Sequence, residues 1–119
     1  MIIKVAKGDT FIPNWRGNDK LPEDEQIKVE FMYMTGEQEE SLTPVVPAFD
    51  DNNNIKIEYK LNATAVWDAC VKKVTGLKDE NGKAITDPSV IKTLPGTYGL
   101  ITEVAGHIRR ELRDTDSKN

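Results

Sequence analysis

Two stretches of the chain alternate apolar and polar residues with a period of two. In the first, Ile27, Val29, Phe31 and Tyr33 alternate with Lys28, Glu30 and Met32. In the second, Ile55, Ile57, Tyr59 and Leu61 alternate with Lys56, Glu58 and Lys60. Successive side chains of a strand point to opposite faces, so each stretch predicts a strand with one face on a core. The two are expected to pair antiparallel, although a connection of ~20 residues is too long for a tight hairpin. Ile2 to Ala6 predicts a further short strand. Gly8 to Leu21 reads as a loop, because Gly8, Asp9, Pro13, Asn14, Gly17, Asn18 and Asp19 all favour turns. Glu37 to Leu42 is polar and allows one helical turn. Thr43 to Phe49 contains Pro44 and Pro47, which lack the donor a central ladder needs, so it is expected to run extended along a surface or edge. Asp50 to Asn54 reads as a turn.

The period then changes. Ala63, Val66, Trp67, Cys70, Val71 and Val74 fall on one helical face and predict a helix from Ala63 to Thr75. Asn62 suits its N-cap and Gly76 its end. Asp79 to Lys83 predicts a turn built on Asn81-Gly82. Asp87-Pro88 opens a short helix that Leu94-Pro95-Gly96 stops. A final helix is expected from Thr97 to Arg113, with Ile101, Val104, Ala105, Ile108 and Leu112 as its buried stripe. Arg109, Arg110 and Arg113 would lie in its last turns, where cations suit the helix dipole. Fraying is expected from Asp114 onward, over residues 115–119 above all. The expected fold is one α+β domain over 1–119. Residues 1–61 are mainly β and loops, 62–114 are mainly helical, and a small antiparallel sheet packs on about three C-terminal helices.

Composition narrows the function classes. The chain has 119 residues, 38% hydrophobic and 30% charged, which are ordinary values for one globular domain. No apolar run approaches the ~20 residues of a membrane-spanning helix. The start, with Lys4 and Lys7 breaking its apolar stretch, does not read as a signal peptide. Cys70 is the only cysteine, so an intrachain disulfide is excluded. The net charge is -4, and Asp19 to Glu58 alone holds eleven acids against three bases. Phosphate neutralisation needs clustered Lys and Arg, so nucleic acid is not an expected partner. The acids serve solubility or form an acidic docking surface.

No constellation of reactive groups stands out. His107 and Cys70 are each the only residue of their type, and zinc requires a larger ligand set. Cys70 falls on the apolar stripe and His107 beside the final one. Asp79-Glu80-Asn81-Gly82-Lys83 superficially resembles a calcium loop, but its glycine comes at the fourth position and lysine at the fifth. There is no glycine-rich phosphate loop and no nucleophile elbow. No metal, no organic cofactor and no catalysis are expected. The apolar residues left over lie in predicted loops: Phe11, Ile12 and Trp15, then Val45, Val46 and Phe49. They either anchor these segments to the core or form a protein-binding patch.

The order of features in the second half resembles the small tail assembly chaperones of long-tailed bacteriophages and prophages. The resemblance is carried by Val66-Trp67-Asp68-Ala69-Cys70-Val71-Lys72-Lys73-Val74-Thr75-Gly76-Leu77 and the Asp79 to Lys83 turn. It continues through Asp87-Pro88-Ser89-Val90-Ile91-Lys92-Thr93-Leu94-Pro95 and the final helix to Glu103. Phe11-Ile12-Pro13 and the strand from Ile27 look like the extended part of such proteins. The resemblance implies a non-enzymatic role in the bacterial cytoplasm, coating the long, apolar tape measure protein before the tail tube polymerises around it. Phe11, Ile12, Trp15, Val45, Val46 and Phe49 would supply the binding surface. Two other readings stay open: a virion structural protein, such as a minor tail or head–tail connector subunit, and a small ligand-binding or regulatory domain. Self-association is compatible with each.

Overall fold

A computed structural model describes residues 1–3, 5–42, 45–59 and 62–117; the side chains of 45, 46, 58, 59 and 112–117 lie outside that description. Its strands are β1 (Gly8–Phe11), β2 (Lys28–Met32), β3 (Val45–Phe49), β4 (Ile55–Tyr59) and β5 (Val71–Thr75). Its helices are α1 (Gly36–Leu42), α2 (Ala63–Cys70), α3 (Pro88–Ile91) and α4 (Tyr98–Ser117). Two short 3-10 segments, Trp15–Lys20 and Glu23–Glu25, precede β2. The class is α+β, with antiparallel strands and C-terminal helices. No helix among the described residues is long and apolar enough to cross a membrane.

The strand from Ile27 forms as expected, and its period of two is realised: Ile27, Val29, Phe31 and Tyr33 are buried. Its partners differ from the expectation. β2 is the central strand of a three-stranded sheet in the order β1-β2-β5. β4 pairs with β3 in a separate two-stranded sheet, and never with β2. The reason is loop closure. Only Asp50 to Asn54 separates β3 from β4, so that pairing closes a far shorter loop than β4 with β2. Pro47 is accommodated because a two-stranded sheet has only edge strands.

The first strand is also displaced. It begins at Gly8 and not at Ile2, and the described residues of the Ile2–Ala6 segment are exposed and outside any strand. β1 lies within the segment read as loop, where Phe11 faces Val29 and Asp9 faces Phe31.

The helix expected over Ala63–Thr75 stops at Cys70 and passes directly into β5. Val71 and Val74 are buried, and their spacing of three continues the helical stripe. It does so in a strand because the β2–β5 register slips between Glu30 and Phe31: Glu30 faces Lys73, whereas Phe31 faces Val71. Lys72 is the extra residue of a bulge, which turns both valines inward. β-Branched Val71, Val74 and Thr75 suit that role. Asn62 caps α2 by accepting from the Ala65 N–H at 3.2 Å. Gly76 ends β5 and not a helix, at φ 87°.

The core lies between β2, β5, α2 and α4. Val66, Trp67, Cys70, Val74, Ile91, Leu100, Val104 and Ile108 are wholly buried. The Trp67 indole N–H donates to the Pro88 carbonyl at 2.9 Å, tying α2 to the start of α3. Asp87 caps α3 by accepting from the Ser89 N–H at 2.9 Å, as the Asp-Pro pair predicts. Helix α4 runs to Ser117, so Arg109 and Arg110 sit inside it and not in its last turn, and its backbone stays helical past Asp114. Ile101, Val104, Ala105 and Ile108 form its buried stripe; the expected fifth member, Leu112, has its side chain outside the description.

Candidate interaction surface

The β3–β4 hairpin is built from local rules. Its tip is a five-residue loop in which the Asp50 carboxylate accepts from the Asn52 and Asn54 N–H groups at 2.8 and 2.9 Å. Asn53 takes the left-handed conformation there, at φ 62°. The same construction recurs at Asp79, whose carboxylate accepts from Asn81 and Lys83 at 2.8 and 2.9 Å, with Gly82 at φ 81°. Asp79-Glu80-Asn81-Gly82-Lys83 is therefore a hairpin turn closing the Lys78–Ala84 bridge. The Asp50 side chain acts locally in its own loop. At the hairpin base, the Asn62 N–H donates to the Leu42 carbonyl at 3.3 Å, which sets the hairpin between α1 and α2.

The register decides what the hairpin displays. Phe49 faces Ile55, Pro47 faces Ile57 and Val45 faces Tyr59. Directly opposed residues share a face, so all six positions of one face are apolar or aromatic. The other face carries Val46, Ala48, Lys56 and Glu58. Phe49, Ile55 and Ile57 are 71%, 73% and 70% exposed. Lys56 is exposed as well, so both sides of β4 stand clear of the core. The radius of gyration is 16.3 Å, against about 13.5 Å for a compact chain of this length.

The hydrogen-bond parity fixes the edges. The Asp50 N–H donates to the Asn54 carbonyl at 2.9 Å, so those two are a bonded pair. Bonded and non-bonded pairs alternate in an antiparallel ladder. Ala48/Lys56 and Val46/Glu58 are therefore bonded, and Pro47/Ile57 is not. The nitrogen of Pro47 points to the outer edge of β3, where its missing hydrogen costs no ladder bond. The same parity points the backbone groups of Ile55, Ile57 and Tyr59 to the outer edge of β4, and no third strand is paired there among the described residues.

The six residues expected to bind protein divide. Phe11 is half-buried and stacks on His107, with ring centroids 3.8 Å apart and planes 8° apart. Trp15 is half-buried, packs against the core and lies over Gly99 of α4. Beside it, the Asn14 N–H donates to the Glu103 carboxylate at 2.5 Å. Ile12 is 39% exposed. Phe11 at the end of β1, with Ile12 and Trp15 just after it, thus belongs to a segment fastened on α4. Phe49 belongs to the hairpin, on a different sheet; Val45 and Val46 are in the same strand, with side chains outside the description. Pro47 is exposed, in the segment expected to run along a surface or edge, whereas sequence reasoning missed Ile55 and Ile57, read as the core face of a strand. The available signal was two short strands flanking five turn-forming residues, which is a local hairpin pattern.

The ionisable groups are arranged as parts of the fold. His107 is half-buried among Phe11, Phe31 and the Glu111 carboxylate, its Nε2 4.0 Å from Glu111. Burial holds its pKa below the ordinary value; Glu111, Asp9 and Glu103 pull upward and Arg110 adds to the lowering. Burial pushes the Cys70 thiol up, with Lys72 opposing. Among the described residues, no three His, Cys, Asp or Glu side chains are grouped to hold a metal ion. The chain matches no protein-family model, no curated protein and no solved structure.

Proposed function

We propose that this protein is a non-enzymatic chaperone that covers an apolar segment of a longer protein, and that the segment belongs to the tape measure protein of a bacteriophage tail. The observation carrying the reading is the hairpin face of Pro47, Phe49, Ile55 and Ile57, held away from the core and exposed. Contiguous exposed apolar surface rimmed by polar residues is the usual mark of a protein-binding site. Exposed Glu37, Glu39 and Glu40 on α1 precede the hairpin along the chain, and exposed Asp51 stands at its tip. They keep the free protein soluble and suit a partner with basic residues beside its apolar stripe. The phage assignment rests on the resemblance of the Val66–Glu103 segment.

The test is co-expression with the tape measure protein encoded beside this chain, followed by size-exclusion chromatography. The expected result is co-elution and a gain in tape measure solubility, both lost on Ile55→Ser/Ile57→Ser. A partner equally soluble alone that never co-elutes sinks the proposal. Stable rings formed by this chain alone would favour a virion structural role.

A further inference from the structure

We infer that two copies of this protein pair through the outer edge of β4, joining their hairpins into one four-stranded antiparallel sheet. The inference uses this chain alone and does not rest on the chaperone reading.

Edge strands present unpaired N–H and C=O groups that template pairing with another chain. Here the two edges of one hairpin are unequal. β3 places Pro47, without a donor, at the outward position. β4 places Ile55, Ile57 and Tyr59 outward, each with donor and acceptor. Only β4 offers an intact ladder.

The sequence of β4, Ile55-Lys56-Ile57-Glu58-Tyr59, is complementary to itself when reversed. A two-fold axis at Ile57 sets Ile57 opposite the partner's Ile57 and Ile55 opposite the partner's Tyr59. It also sets Lys56 opposite the partner's Glu58, and Glu58 opposite the partner's Lys56. Odd-numbered residues carry the outward hydrogen-bonding groups, so this register makes its bonded pairs at 55, 57 and 59. The parity read from the hairpin and the charge pattern thus select the same alignment. Moving the axis one residue either way sets Lys56 against the partner's Lys56, or Glu58 against the partner's Glu58. Like charges directly opposite are destabilising. The axis at Ile57 is also the one that pairs all five residues of β4. Residues opposite one another share a face, so the two apolar hairpin faces become one, twice as wide.

Sedimentation velocity or light scattering across a concentration series tests this. The expected wild-type behaviour is a reversible monomer–dimer equilibrium, with a dimer of twice the 13.4 kDa chain mass. Ile57→Pro removes an outward donor and no bond to β3, its lost side chain being exposed, and should give a monomer with thermal melting nearly unchanged. Lys56→Glu should raise the dimer dissociation constant about tenfold or more, since two favourable cross-strand pairs become repulsive. Glu58→Lys should do the same, and the double exchange Lys56→Glu/Glu58→Lys should restore dimerisation. A wild-type protein monomeric at its highest soluble concentration overturns the inference. So does a dimer in which both single charge reversals leave the dissociation constant unchanged.

Discussion

Individual side chains divide between those that hold the fold and those that mark a condition on it. Trp67 is wholly buried and its indole N–H is satisfied by Pro88. Trp67→Ala removes a large side chain from a packed core and orphans a carbonyl, so denaturant unfolding should show a loss of about 3–5 kcal/mol. Asn18, read from sequence as a turn former, does more. It is buried, donates to the Pro13 and Ile27 carbonyls at 2.9 and 3.0 Å, and accepts from the Ile27 N–H at 2.6 Å. It thereby pins the loop to the start of β2. His107 makes the stability pH-dependent. Its folded pKa lies below its ordinary 6.5, so the unfolded chain takes up the proton first as pH falls. The stabilisation is present above 6.5 and is lost as pH falls from there through the folded value; below that the dependence on His107 ends. The melting temperature of wild type should therefore fall over this window, and His107→Phe, which keeps the stack on Phe11, should flatten the fall. Asp87, lowered by its bonds from Ser89, acts only at pH values below 3.8 and leaves the His107 window clear.

Elements were legible where one rule decided them and obscure where two competed. β2 announced itself because alternation, β-branched residues and burial agreed. The caps at Asn62 and Asp87 were legible because a capping side chain acts within three residues. The α2–β5 boundary was hidden, since a bulge at Lys72 lets a strand imitate helical spacing. The hairpin face was hidden for another reason. Alternation reports that a strand has two unlike faces, and says nothing about what covers the apolar one. Gly76 shows how tightly the far end of β5 is held. It has φ 87°, and a Cβ there would collide with the Gln26 carbonyl oxygen. Gly76→Ala should lower stability by about 1–3 kcal/mol in a denaturant titration. Gly17→Ala, with positive φ and no such neighbour, should cost less. Equal losses would mean that the β5–Gln26 approach is not a constraint.

At the scale of the molecule, the chain separates a packed body from a projecting hairpin, and this separation makes the surface testable. In the body, Phe11 of β1 and Trp15 after it are stability residues, because they pack on α4. On the hairpin, Phe49 and Ile57 contribute little to the fold, since each is about 70% exposed. Substitutions should accordingly sort into two groups. Trp15→Ala should lower the melting temperature by several degrees, as loss of a partly buried aromatic requires. Phe49→Ser should leave melting nearly unchanged, because exposed side chains away from special features alter stability by less than about 0.5 kcal/mol. Partner capture should respond in the opposite sense. Binding energy concentrates in a few aromatic and aliphatic anchors that lose water on contact. Phe49→Ser should therefore abolish co-elution with the tape measure protein, whereas Trp15→Ala at a temperature where it stays folded should preserve it. A result in which Trp15→Ala abolishes binding and Phe49→Ser spares it would move the docking surface from the hairpin to the loop over α4.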